Sequence, residues 1–165
     1  MKVIFSYGKK VEPGQERLKA FTEVARKFGA ETVYVPYDFE SPADERAAKL
    51  LEIVRREDDP QGLVLVGSSM GSYGALLASM QIPVAGLFLI SPALFMYDVT
   101  QYRTDGARAV EMVVGWKDTV IPRDKVLAFA REQEIETLVV NNDHAMFDSL
   151  PTLTALFEDF LRRLQ

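Results

Sequence analysis

The chain has no cysteine and a single histidine. The first absence excludes disulfides, thiolate metal sites and a cysteine nucleophile, and it leaves the redox compartment unread. The second leaves one imidazole, His144, for any chemistry that needs a neutral base near physiological pH. Positive charge is also scarce. The 19 Lys and Arg against 24 Asp and Glu give a net charge of -5, which repels phosphate backbones and anionic lipid heads. No nucleic-acid or membrane partner is expected. Long apolar runs are missing too: Val3-Ile4-Phe5 breaks at Ser6-Tyr7-Gly8, too soon for a signal-peptide core or a membrane span. A cytoplasmic location is the expectation.

What is present is an ordinary globular composition, 48% hydrophobic and 26% charged over 165 residues, enough for one sizeable core. A single domain over residues 1-165 is expected, with no repeat, low-complexity tract or linker. Val3-Ile4-Phe5 reads as a strand, and Leu18, Phe21, Val24 and Phe28 recur at helical spacing until Gly29 stops them. Thr32 to Val35 is β-rich. Ser41-Pro42-Ala43-Asp44 supplies a helix cap, a first-turn proline and a carboxylate ahead of Ala47, Leu50, Leu51 and Val54. Leu63-Val64-Leu65-Val66 is wholly apolar, as in a parallel strand buried on both faces. Further strands are expected at Val84 to Ile90, Ala109 to Val114 and Thr137 to Val140, with helices near Arg123 to Arg131 and Pro151 to Leu164. Such alternation predicts an α/β fold, a doubly wound, mostly parallel six-stranded sheet flanked by helices on both faces. The longest irregular stretch, Ser91 to Arg108, has room only for a loop or a turn of helix.

Gly67-Ser68-Ser69-Met70-Gly71 matches GxSxG, which places its central serine on a tight strand-to-helix turn. The bare pattern arises by chance in about one chain of twenty this long, so context decides. Here it follows directly on the apolar strand and opens a small-residue helix containing Gly74, Ala75 and Ala78. A serine hydroxyl needs a base, and His144, in Asn141-Asn142-Asp143-His144, follows the last expected strand and so emerges at the same sheet edge. The imidazole in turn needs an acceptor on its other nitrogen. Asp118, in Gly115-Trp116-Lys117-Asp118 after the fifth strand, is the candidate, with Asp98 and Asp143 as fallbacks; Asp148 is expected to cap the last helix. The order Ser, Asp, His is that of α/β-hydrolases.

Together with Phe5-Ser6-Tyr7-Gly8-Lys9 and Val120-Ile121-Pro122, these pieces resemble the α/β-hydrolase superfamily over nearly the whole chain, and within it the small bacterial serine hydrolases that lack a lid. The resemblance implies a minimal fold without a cap domain, no metal and no organic cofactor. It also implies an oxyanion hole of two backbone N-H groups, one from Met70 after the nucleophile and one from the first loop, assigned to Lys9. Family members often carry a histidine where this chain has Tyr7, and a third glycine where it has Ser72.

A capless crevice favours short acyl chains, so a small-molecule ester or thioester is the expected partner, cleaved through an acyl-enzyme on Ser69. Tyr7, Phe95 and Trp116 are the lining candidates in the first rank, with Met70, Leu94, Met96 and Tyr97 beside them. The alternative is a non-catalytic binding protein on the same fold. A flavodoxin-like domain is disfavoured: GxxxxGK followed by Ser or Thr is absent, as is GxGxxG, and Gly8-Lys9-Lys10 is a poor phosphate cradle. Nothing in the sequence specifies an oligomeric state.

Overall fold

The computed structural model describes residues 1-8, 14-38 and 40-165. In chain order the elements are β1 (Lys2–Ser6), α1 (Gly14–Lys27), β2 (Glu31–Tyr34), α2 (Ala43–Arg55), β3 (Leu63–Ser68), α3 (Met70–Ser79), β4 (Val84–Ile90), β5 (Ala107–Gly115), α4 (Arg123–Glu132), β6 (Glu136–Val140) and α5 (Leu150–Leu164). The strands form one six-stranded sheet, β2-β1-β3-β4-β5-β6, and each neighbouring pair is parallel.

Alternation along each strand divides the apolar side chains between two cores. Ile4, Leu63, Leu65, Leu87, Leu89, Met112 and Val114 point to the face covered by α2, α3 and α4, where they meet Leu50, Leu76 and Val126. Val3, Phe5, Val64, Val66, Phe88, Ile90 and Val113 point to the face covered by α1 and α5. An aromatic cluster joins the latter: Phe21 of α1 stacks on Phe157 of α5 at 4.5 Å between ring centres, and Phe157 meets Phe88 of β4 edge-on at 5.2 Å. Among the described residues, no helix is long and apolar enough to cross a membrane.

Since β1 and β3 are neighbours while α1 and α3 leave them over opposite faces, a crevice opens between the two helices at the C-terminal edge of the sheet. That edge also carries the ends of β5 and β6. The β4-to-β5 crossover has no helix. Ala93, Leu94 and Tyr102 bury themselves in the face covered by α2, α3 and α4, with the Tyr102 ring against Phe95 at 5.1 Å and Phe129 at 6.0 Å. An irregular segment anchored by aromatics does there what a helix does elsewhere.

Two expected caps differ in the structure. Pro42, rather than Ser41, occupies the position before α2, because the Arg46 amide bonds to the Pro42 carbonyl and the first turn is counted from there. Asp148 lies in a short 3₁₀ turn, Phe147–Ser149, and does not cap α5; Ser149 precedes the helix, and its hydroxyl accepts from Asn142 Nδ2 at 3.0 Å.

One buried acid gives the fold a pH signature. Glu111 of β5 is 1% exposed and pairs with Arg163 of α5. Burial pushes its carboxyl up to about 7, the neighbouring Arg163 notwithstanding. In the unfolded chain the group titrates near its ordinary 4.5, so across that interval the folded state holds a proton that the unfolded state has lost. The contribution of Glu111 to stability therefore falls as pH rises from the lower value to the upper. Urea unfolding of Glu111→Gln against wild type at acid and at mildly alkaline pH should show the variant gaining relative to wild type on the alkaline side; a pH-independent difference would contradict this.

Candidate active site

Between the end of β3 and the start of α3 stands one residue, Ser69, with φ 54° and ψ -120°. L-residues rarely adopt a positive φ, and a serine there is strained. Its amide donates to the Ile90 carbonyl at 2.9 Å, and its carbonyl accepts from the Ser72 and Ala93 amides at 3.0 and 3.1 Å. Close approach completes the turn: a Cβ on Gly71 would lie 1.9 Å from the Ser6 carbonyl oxygen, so only glycine lets α3 pack against the end of β1. Ser69 precedes α3 in the position where a serine commonly caps, yet its hydroxyl makes no cap bond. It faces His144 instead, with Ser69 Oγ 2.9 Å from His144 Nε2.

The loops after β5 and β6 are tied together before either reaches the crevice. The Trp116 amide donates to Val140 and the Lys117 amide to Asn142, at 2.8 and 2.9 Å. Gly115 permits the contact, since a Cβ there would be 2.4 Å from the Asn142 carbonyl oxygen. Asp118 is thereby placed under the imidazole, with Oδ2 2.7 Å from His144 Nδ1. Its Oδ1 accepts from the Val120 and Ile121 amides at 2.9 and 3.2 Å. Burial pushes the Asp118 carboxyl up, but the hydrogen bonds from His144 and the two amides outweigh it and hold the group below its ordinary range. An ionised Asp118 accepts only, so Nδ1 carries the imidazole proton and Nε2 presents its lone pair to the Ser69 hydroxyl. The fallback acids are elsewhere. Asp143 Oδ1 accepts from the Ala145 and Met146 amides, and Asp98 is exposed on the β4-to-β5 crossover.

The other expected site residues divide. Met70 is the first residue of α3, so its N-H has no intrahelical acceptor and points out at the positive end of the helix dipole beside Ser69. Lys9 lies outside the described residues; the preceding Gly8 is close to the serine, a Cβ there falling 3.2 Å from Ser69 Cβ. The Tyr7 ring packs into the core on the α1 and α5 side, stacked on Phe5 at 6.2 Å. Among the described residues its buried hydroxyl has no hydrogen-bond partner, and burial raises its pKa above the ordinary phenol range. Phe95 is partly buried against Tyr102 and Phe129. Leu94 is fully buried core and therefore no wall of the crevice, while Tyr97 lies against Tyr73 at 4.4 Å. Trp116 is 53% exposed with the Arg123 guanidinium over its ring at 5.8 Å, and Met96 is also exposed. Among the described residues no three metal-ligating side chains come together.

Three supporting residues were not singled out from the sequence. The Ser91 hydroxyl donates to the His144 carbonyl at 3.2 Å, and Arg17 reaches both Ser68 Oγ and the Ala145 carbonyl. Ser68, the last residue of β3, and Ser91, the first after β4, have no sequence signature beyond that position. Arg17 does have one, since it stands four residues ahead of Phe21 in the buried stripe of α1.

No protein-family model matches the sequence, and no curated protein matches it. Solved structures do. A protein assigned to the alpha/beta hydrolase superfamily from Xanthomonas campestris pv. campestris has a TM-score of 0.87 and 26% identity, with 98% of each chain covered. A lidless α/β serine hydrolase from Xanthomonas campestris has a TM-score of 0.78 and 18% identity over 98% of this chain and 81% of that one. The mouse alpha/beta hydrolase domain-containing protein 10 has a TM-score of 0.76 and 17% identity over 99% and 90%. The fold is that of the α/β-hydrolase superfamily in its lidless form, and these likenesses support a hydrolase at that general level.

Because the loop contact at Gly115 sets the ring's position, Gly115→Ala should push the Asn142 to His144 segment away and break the pairing of His144 with Asp118. With one histidine in the chain the readout is unambiguous: the hydrogen-bonded Nδ1 proton of His144 should give a downfield NMR resonance in wild type that weakens or vanishes in the variant. An unchanged resonance would show that the contact does not control the ring.

Proposed function

We propose that this protein is a serine hydrolase that cleaves small ester or thioester substrates through an acyl-enzyme on Ser69. The observation that carries the reading is the unbroken row from Ser69 Oγ to His144 Nε2 at 2.9 Å and from His144 Nδ1 to Asp118 Oδ2 at 2.7 Å. A strained serine backbone supports it, since such strain concentrates where geometry serves chemistry.

In this mechanism Ser69 Oγ bonds to the acyl carbon as its proton passes to His144 Nε2, and the carbonyl π pair moves onto oxygen. That oxyanion is met by the Met70 N-H at the α3 N-terminus, a fixed donor that needs no reorganisation as charge develops. The imidazolium, held by ionised Asp118, returns its proton to the departing alkoxide or thiolate as the bond to the acyl carbon breaks. Water then repeats the sequence on the acyl-enzyme and restores the Ser69 hydroxyl. Without a cap, bulk water reaches the crevice readily, which suits short, soluble substrates better than long acyl chains.

Turnover of p-nitrophenyl esters of increasing chain length tests this. Acetate and butyrate should outrun long-chain esters, and Ser69→Ala should lose activity on the order of 10⁶-fold. Asp118→Asn should lose on the order of 10⁴-fold, since the amide no longer holds the required tautomer. Substantial activity in Ser69→Ala would overturn the reading.

A further inference from the structure

Against the row of Ser69, His144 and Asp118 lies a buried charge that the mechanism does not use. Arg17, in the first turn of α1, is 5% exposed. Its Nη1 donates to Ser68 Oγ at 3.0 Å and its Nη2 to the Ala145 carbonyl at 2.6 Å. One planar guanidinium thus joins the residue just before Ser69 to the residue just after His144.

Its surroundings make Arg17 a poor choice for stability. Among the described residues no carboxylate faces it; the titratable group that acts on it is the Tyr7 phenol, itself buried and unpartnered. Burial lowers the guanidinium's pKa, and among the described residues no opposite charge offsets that cost. A cation in the first turn also opposes the helix dipole. A methionine would fill a similar volume without these conflicts, and conflicts between local rules and fold concentrate at functional sites.

The remaining supports of the histidine loop show what Arg17 adds. Ser91 bonds to the His144 carbonyl, the Lys117 amide bonds to Asn142, and Met146 buries its side chain in the α1 and α5 core. Each ties the loop to the body of the sheet or its helices. Arg17 ties it to the serine turn itself. A guanidinium is suited to this because its N-H groups diverge from a rigid plane, so two acceptors are held at a fixed separation.

We propose that Arg17 is a positioning residue that sets the distance between Ser69 and His144 by clamping the serine turn to the histidine loop. Its kinetic consequence rests on the serine-hydrolase reading; its structural consequence does not. A displacement of about 1 Å between reacting groups costs about 10²-fold in rate.

The test compares wild type, Arg17→Met, Arg17→Lys and Ser69→Ala. Arg17→Met should lower kcat about 10²-fold per active site, counted by the acyl burst, with KM nearly unchanged. Arg17→Lys retains the charge but not the fork, and should show a smaller loss in the same direction. A residue that only supports folding would reduce the number of active sites and leave turnover per site alone; that result, or full turnover in Arg17→Lys, overturns the proposal. Relaxation of the ¹⁵N-labelled His144 ring gives a readout that needs no activity. The ring should be rigid in wild type and broadened by exchange in both Arg17 variants, and equal ring dynamics would also overturn it. Should Arg17→Met fail to fold, Arg17→Lys decides on both measurements. A wild type that neither hydrolyses nor acylates would sink the serine-hydrolase reading alone, and the ring measurement would still decide the role of Arg17.

Discussion

At Ser69 the backbone holds a conformation that costs a non-glycine residue about 1-3 kcal/mol, and the surrounding structure is arranged to keep it there. Its amide is fixed by β4 and its carbonyl by the amides of Ser72 and Ala93, while Gly71 lets the helix press against the end of β1. The parallel sheet makes this possible. Because β3, β5 and β6 all run the same way, the serine turn and the loops bearing Asp118 and His144 emerge at one edge. Because the helices leave β1 and β3 over opposite faces, that edge is open where the serine stands. The strain is local, but the means of holding it extends across three strands, β1, β3 and β4.

Much of this was legible in the sequence for a simple reason: buried parallel strands must be apolar along their length. Leu63 to Val66 and Val84 to Ile90 announce themselves, and α1 shows its buried stripe at Phe21 and Val24 with its end at Gly29, which indeed takes φ 67°. Scarcity made the site legible. One histidine and one GxSxG motif leave few combinations, and the structure brings Ser69, His144 and Asp118 together. Helix starts were harder, as at Ser41 and Asp148, because capping depends on one residue's ψ and on which carbonyl the first amide chooses. The crevice walls were least legible. Leu94, Tyr97 and Phe95 are apolar whether they face solvent or core, and the β4-to-β5 crossover turns them inward around Tyr102.

Buried charge marks the places where composition and pattern mislead. Arg17, Arg46, Glu111 and Asp118 are all buried, though charged residues are ordinarily exposed. Each meets the problem differently. Arg46 turns its guanidinium to the backbone carbonyls of Tyr7, Asp38 and Ser41, bracing the end of β1 against the start of α2. Glu111 relies on Arg163 and carries a raised pKa, whereas Asp118 has enough donors to remain ionised. Among the described residues Arg17 meets neutral acceptors, Ser68 Oγ and the Ala145 carbonyl, beside the candidate site. The two carboxyls thus sit on one strand and its following loop with their pKa values driven apart, Glu111 upward chiefly by burial and Asp118 downward by the hydrogen bonds and the His144 ring that outweigh its burial.

Whether Ser69 is an activated nucleophile can be read by intact-mass spectrometry after exposure to a fluorophosphonate probe. One covalent adduct per chain is expected, located on Ser69 and absent from Ser69→Ala. A correctly folded wild type that takes up no probe, or takes it up on another residue, would contradict it.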